Sequence, residues 1–160
     1  MEVRQKQLLS QIDLAFVGVE LGDGVSLHES QVIDNYGGAE ERLAARASDE
    51  KVDWHKLIDE TDLTRLFNVG MGGLCFLDAA GVRFHLPACL SLIVIDHSNR
   101  ETGNMMESLL YRLAEWRQYG NEHLAHLNEP QRACVKAVLI YLQDTQDYDN
   151  EMLERIIEGY

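Results

Sequence analysis

A chain of 160 residues, 46% hydrophobic and 26% charged, has the size and make-up of one ordinary globular unit, which excludes disordered and fibrous chains. The formal net charge of −13 opposes binding to nucleic acid or an anionic membrane, since both need a basic footprint. The longest apolar run, Leu90 to Ile95 with Ser91 inside it, is far short of the roughly 20 residues that cross a bilayer, and the charged start Glu2-Val3-Arg4-Gln5-Lys6 lacks the apolar core of an export signal. The expectation is one compact cytoplasmic domain over 1–160.

From Val3 to Val17, Leu8, Leu9, Ile12, Ala15 and Phe16 recur at helical spacing, which predicts a surface helix with one buried stripe. Gly18, Gly22 and Gly24 then mark a tight loop that favours positive φ. Ser26 and Glu29 form an S-x-x-E capping box before Val32 and Ile33, so a second helix starts at Ser26 and stops near Gly37-Gly38. A charged helical stretch follows over Ala39 to Ala47, with short helical pieces around Asp53-Trp54 and over Thr61 to Phe67.

Gly73 to Leu77, a turn at Asp78-Ala79-Ala80-Gly81, and Val82 to Leu86 read as a β-hairpin, with Val82, Phe84 and Leu86 on one face and Arg83 and His85 on the other. Pro87 to Ile95 is uniformly apolar and leans towards helix. Beyond the polar loop His97 to Gly103, Met106, Leu109, Leu110, Leu113 and Trp116 mark a helix. Asn128 caps another ending near Leu142, and Leu153, Ile156, Ile157 and Tyr160 mark a last one. The predicted fold class is therefore α+β, predominantly helical, with a small antiparallel β-hairpin near 73–86.

Three stretches carry a resemblance. They are Ile12-Asp13-Leu14-Ala15-Phe16 with Leu21-Gly22-Asp23-Gly24-Val25-Ser26-Leu27-His28-Glu29 and Val32-Ile33-Asp34; Phe76-Leu77-Asp78 with Gly81-Val82-Arg83-Phe84-His85-Leu86-Pro87; and Leu127-Asn128-Glu129-Pro130-Gln131-Arg132. Together they resemble a bacterial family catalogued as a domain of unknown function. The resemblance implies a bacterial cytoplasmic protein and carries over no catalytic residue.

The charge is uneven: two basic against six acidic residues over 1–39, four against eight over 40–62, seven against seven over 63–142, and one against six over 143–160. Acidic ends suit a basic protein partner. The glycine loop before a helix has the outline of a phosphate-binding turn, but it lacks a lysine, and Glu20 and Asp23 would repel a phosphate. Asp13, Glu20, Asp23, His28, Glu29 and Asp34 supply ligand atoms for a divalent cation without EF-hand spacing, so they read as solvated carboxylates at a helix start. His123 and His126, beside Glu122, offer only two ligands and read as surface histidines.

His85 and His97, with Asp78 and Asp96 beside them, would allow a carboxylate-oriented base, but no nucleophile elbow surrounds Ser91. Cys75, Cys89 and Cys134 sit among apolar neighbours and read as reduced core thiols. Arg83 pairs with Asp78 or contacts a carboxylate ligand, or else covers apolar surface with its stem; Trp54 and Trp116 read as core or rim aromatics. The reading favoured is a non-catalytic acidic interaction module, inhibitor or immunity-like or a regulatory adaptor, that binds a basic protein. It uses no metal and no cofactor, and Glu20, Asp23, His28, Asp34, Arg83 and His85 are its candidate binding residues. The alternative is a metal- or carboxylate/His-dependent hydrolase.

Overall fold

A computed structural model describes residues 2–59, 61–68, 73–119, 122–145 and 150–160. The helices are α1 (Val3–Ala15), α2 (Leu27–Asp34), α3 (Ala39–Ser48), α4 (Thr61–Leu66), α5 (Ala79–Asp96), α6 (Arg100–Tyr119), α7 (Glu129–Thr145) and α8 (Asn150–Ile157). Short 3₁₀ turns lie at Trp54–Asp59, Gly73–Phe76 and Glu122–Leu124. No strand occurs among the described residues.

The expected hairpin at 73–86 is therefore absent, and its two halves do different work. Gly73–Phe76 is a 3₁₀ turn, and Ala79 onwards is the first turn of α5. Asp78 decides this, because its carboxylate accepts the Gly81 N–H at 2.7 Å and caps the helix. Val82, Phe84, Leu86 and His85 are all buried, so the alternation that suggested a strand is one stretch of a helix covered on every side. Arg83 and His85 accordingly do not share an outward face. The helix carries Pro87 inside it, at the loss of one backbone donor.

By length and composition α5 is apolar enough to cross a membrane, with a mean hydropathy of 1.4. Here its flanks are covered by α1, α6, α7 and the Trp54–Asp59 turn, and 67% of it is buried, so it is the axis of the core. Ile12 and Phe16 from α1, Leu63 and Phe67 around α4, Leu113 from α6, Val138 from α7 and Leu153 and Ile156 from α8 all join one hydrophobic cluster with it. Trp54 is buried in that cluster and its indole N–H donates to the Phe16 carbonyl at 3.2 Å.

Gln5 accepts the Glu2 N–H at 2.7 Å at the start of α1, and the loop after it turns through Gly18 and Gly22, both at positive φ. The Glu29 carboxylate accepts the Ser26 N–H at 3.1 Å at the start of α2. That helix ends earlier than Gly37-Gly38, at Asp34, with the left-handed position filled by Tyr36 at φ 57° rather than by glycine. Asn128 accepts the Gln131 N–H at 3.0 Å and so caps α7. Residue 116 lies where side chains are outside the described set, so the reading of Trp116 is outside the described residues.

Gly24 packs against the first turn of α5: a Cβ there would lie 2.7 Å from Ala80 Cβ and 2.7 Å from the Gly81 backbone nitrogen. Gly24→Ala forces the loop off the helix and is expected to lower the unfolding free energy by about 1–3 kcal/mol. Chemical denaturation checks this, and an unchanged midpoint would contradict the packing.

Candidate functional site

The side chains with chemistry gather where the glycine loop, α2, α3 and the segment after α3 meet. Glu29, at the start of α2, is buried with a 9% exposed side chain. It accepts from Arg42 at 2.9 Å and from Arg46 at 3.3 Å, both on α3. Burial by itself would raise the Glu29 pKa, but the Ser26 N–H and the two guanidinium groups hold it below the ordinary value.

Arg46 also donates to the carbonyls of Gly22 and Gly24. The glycine loop thus turns carbonyls towards a cation, while the Val25 N–H is taken by Asp78 at 3.0 Å. That is the reverse of a phosphate cradle, where N–H groups face an anion.

After α3 the chain is held by carboxylates. Glu50 accepts the N–H groups of Val52 at 2.8 Å, Asp53 at 3.0 Å and Lys51 at 3.0 Å, and pairs with Lys56 at 3.1 Å. Those bonds lower its pKa to about 2. Lys51 Nζ donates to the carbonyls of Arg46 and Asp49.

His28 stands between two carboxylates. Its Nδ1 lies 2.5 Å from Asp49, whose other oxygen accepts the His28 backbone N–H at 2.9 Å; its Nε2 lies 3.1 Å from Asp62 on α4, which Arg65 also holds. The Asp49 side chain is 2% exposed. Partial burial works against charge on the ring, but the bonds and charges of Asp49 and Asp62 raise its pKa above 6.5. With both nitrogens engaged, His28 ties α2 to the residue that ends α3 and to α4, and has no nitrogen left to act as a base or to bind a metal. His55 repeats the arrangement nearer the surface, 2.9 Å from Asp53 and 3.2 Å from Asp13, with its ring stacked on Trp54 at 3.7 Å.

The candidate residues do not converge on one pocket. Glu20 and Asp23 are exposed in the glycine loop, His28 is half-buried in its clamp, and Asp34 is half-buried at the end of α2. Arg83 and His85 belong to the core helix. Arg83 is half-buried with its Nε lacking a hydrogen-bond partner, and Asp78 serves as a cap rather than as its ion partner. His85 is 0% exposed, with Phe67 and Phe84 edge-on, and its Nδ1–H donates to the Gly81 carbonyl at 2.7 Å. Burial pushes its pKa down to about 4, so it is neutral at pH 7 and beyond reach of any surface ligand.

Among the described residues no group of three or more His, Cys, Asp or Glu is placed to hold a metal ion. His123 donates to the Leu77 carbonyl at 2.9 Å while His126 is exposed, and His97 donates to the Ile93 carbonyl at 3.2 Å. Burial pushes the Cys89 and Cys134 thiols up to about 12 and about 11, and raises that of the half-buried Cys75, so none is an activated nucleophile. Nothing in the sequence marks Asp49, Arg46 or Asp62. Arg46 lies 17 residues from Glu29, and Asp49 and Asp62 lie 21 and 34 from His28, so only folding brings these pairs together.

The family model described as "Family of unknown function (DUF6714)" matches residues 4–158, and the chain belongs to that family. No curated protein and no solved structure matches it.

Proposed function

We propose that this member of DUF6714 is a non-catalytic, acidic protein-interaction module of the cytoplasm, working as an inhibitor or adaptor that engages a basic protein. The observation that carries this reading is how the charges of this region are paired. Arg42, Arg46, Lys51, Lys56 and Arg65 are bound to Glu29, Glu50, Asp62 and backbone carbonyls of the same region. Glu20, Asp23, Glu40 and Glu41 meanwhile stand exposed on the loop and α3. Each of these cations is already paired with a carboxylate or a backbone carbonyl of its own region, which leaves Glu20, Asp23, Glu40 and Glu41 without a basic side chain bound to them. A negative surface attracts a basic partner over distances up to the screening length of about 10 Å at 0.1 M salt.

Capture from native lysate tests this, with bound proteins identified by mass spectrometry at low and high salt. A basic protein is expected on the wild-type chain, released by salt and absent from a Glu20→Gln/Asp23→Asn/Glu40→Gln/Glu41→Gln variant. Equal capture by that variant would refute the reading.

A further inference from the structure

Arg83 stands on the second turn of α5, half-buried, and among the described residues nothing forms a hydrogen bond or an ion pair with it. The other half-buried arginines described, Arg42, Arg46, Arg112 and Arg132, are each bound to a carboxylate or to backbone carbonyls of the chain. Arg83 is left out although the chain carries 27 acidic residues. Asp78, the nearest of them in sequence, turns its Oδ1 to the N–H groups of Gly81 and Val25 instead.

The guanidinium itself is unevenly covered. Its Nε–H is sealed from solvent with no acceptor, while neither Nη is sealed, so the end of the fork keeps contact with solvent. An ordinary surface arginine lays its stem over apolar area and keeps the charged head in water. Here the side chain is held as far as Nε and only the tip is presented, which lowers the rotamer freedom lost when the tip binds. Side chains of a helix lean back towards its N-terminus, so this charge lies towards the first turn of an 18-residue helix. That is the positive end of the helix dipole, where a cation gains nothing. A half-buried charge without a counter-ion is relieved by an anion from outside the chain.

The parallel N–H groups of the two Nη atoms fit the two oxygens of a carboxylate. The net charge of −13 opposes a doubly charged anion more than a singly charged one, which favours a carboxylate over a phosphate. We propose that Arg83 is a binding site for a carboxylate, taken end-on by its Nη pair near the first turn of α5. The carboxylate belongs to a small molecule or to the end of a peptide chain, and the recognition chemistry is the same. The site is independent of the acidic-module reading, since it uses the opposite charge.

The test reads the arginine directly in the full chain, through the nitrogen–proton signals of its guanidinium and of the Ala79, Ala80 and Arg83 amides. Sodium acetate is titrated against sodium chloride at equal ionic strength. Acetate is expected to shift the Arg83 signals saturably, with a dissociation constant of about 1–10 mM, while chloride leaves them in place and the exposed Arg100 barely responds. Arg83→Met keeps an apolar stem on the same surface and is expected to abolish the amide shifts. Arg83→Lys keeps the charge without the paired donors and is expected to weaken binding about fivefold or more. Arg83 signals that do not saturate, or that respond no more than those of Arg100, would overturn the site whether or not either variant folds. Amide shifts that persist in Arg83→Met would do the same, and inorganic phosphate binding as tightly as acetate would overturn the assignment to a carboxylate. Acetylated tetra-alanine with a free or an amidated C-terminus separates the two sources. Tighter binding of the free acid than of acetate assigns the site to a chain end, and equal binding assigns it to a small carboxylate. Binding of the amide at the same strength as the acid would contradict both.

Discussion

Replacing Glu29 by alanine is expected to lower the unfolding free energy by about 2 kcal/mol, between the small cost of losing an exposed pair and the larger one of losing a partner from a fully buried pair, since Arg42 and Arg46 are 43% and 22% exposed. The carboxylate does three things at once: it accepts the Ser26 N–H at the start of α2, neutralises Arg42, and neutralises Arg46 beneath the glycine loop. Its removal leaves Arg46, with a 22% exposed side chain, holding the Gly22 and Gly24 carbonyls without a counter-charge. Glu29→Gln keeps an acceptor for Ser26 and is expected to lose less. Because the Glu29 pKa is lowered on folding, its contribution is present above about pH 4.5 and fades as pH falls through the folded value. Chemical denaturation at pH 7 and pH 4 checks both points; a loss under about 1 kcal/mol at pH 7 would show the network to be peripheral.

His85 and His28 are expected to pull stability in opposite directions with pH. His85 titrates near 6.5 unfolded and about 4 folded, so the unfolded chain binds the extra proton between those values. Stability is thus lost as pH falls from about 6.5 to 4, by about 3 kcal/mol at one pKa unit per 1.36 kcal/mol, and levels off below. His85→Leu removes this acid loss, together with a hydrogen bond to Gly81 that leaves a carbonyl already inside the helix. His28 is raised instead: its contribution is complete below about 6.5 and is lost as pH rises through its folded value. His28→Gln is therefore expected to flatten the neutral-to-alkaline limb and leave the acid limb alone. Thermal melts of the two variants across pH 4 to 9 separate the groups; an acid limb unchanged in His85→Leu would place the proton uptake elsewhere.

How far the sequence was legible followed from how much water each segment sees. In α1 the stripe Leu8, Ile12 and Phe16 faces the core while Gln7, Gln11 and Leu14 face outward, so a 3.6-residue period stands out, and the same holds for Leu153 and Ile156 in α8. In α5 nearly every residue from Gly81 to Val94 is buried, and a helix without a wet face has no period to read. The alternation of Val82, Phe84 and Leu86 with Arg83 and His85 therefore mimics a strand. The Asp78-x-x-Gly81 cap was the local signal pointing the other way.

The site divided along similar lines. Glu29 is legible as a helix cap through its spacing from Ser26. Asp49 and Asp62 carried no mark, since a carboxylate that meets a histidine across 21 or 34 residues does so only in the folded chain. A hairpin would place His85 on an outward face, whereas the helix seals it between Phe67 and Phe84.

The most direct measurement of the central claim is the association rate of the captured partner as a function of ionic strength. The proposed attraction between exposed carboxylates and a basic partner requires the on-rate to fall steeply with salt, and the Glu20→Gln/Asp23→Asn/Glu40→Gln/Glu41→Gln variant to flatten that slope. An on-rate indifferent to salt, the same in wild type and variant, would contradict the account.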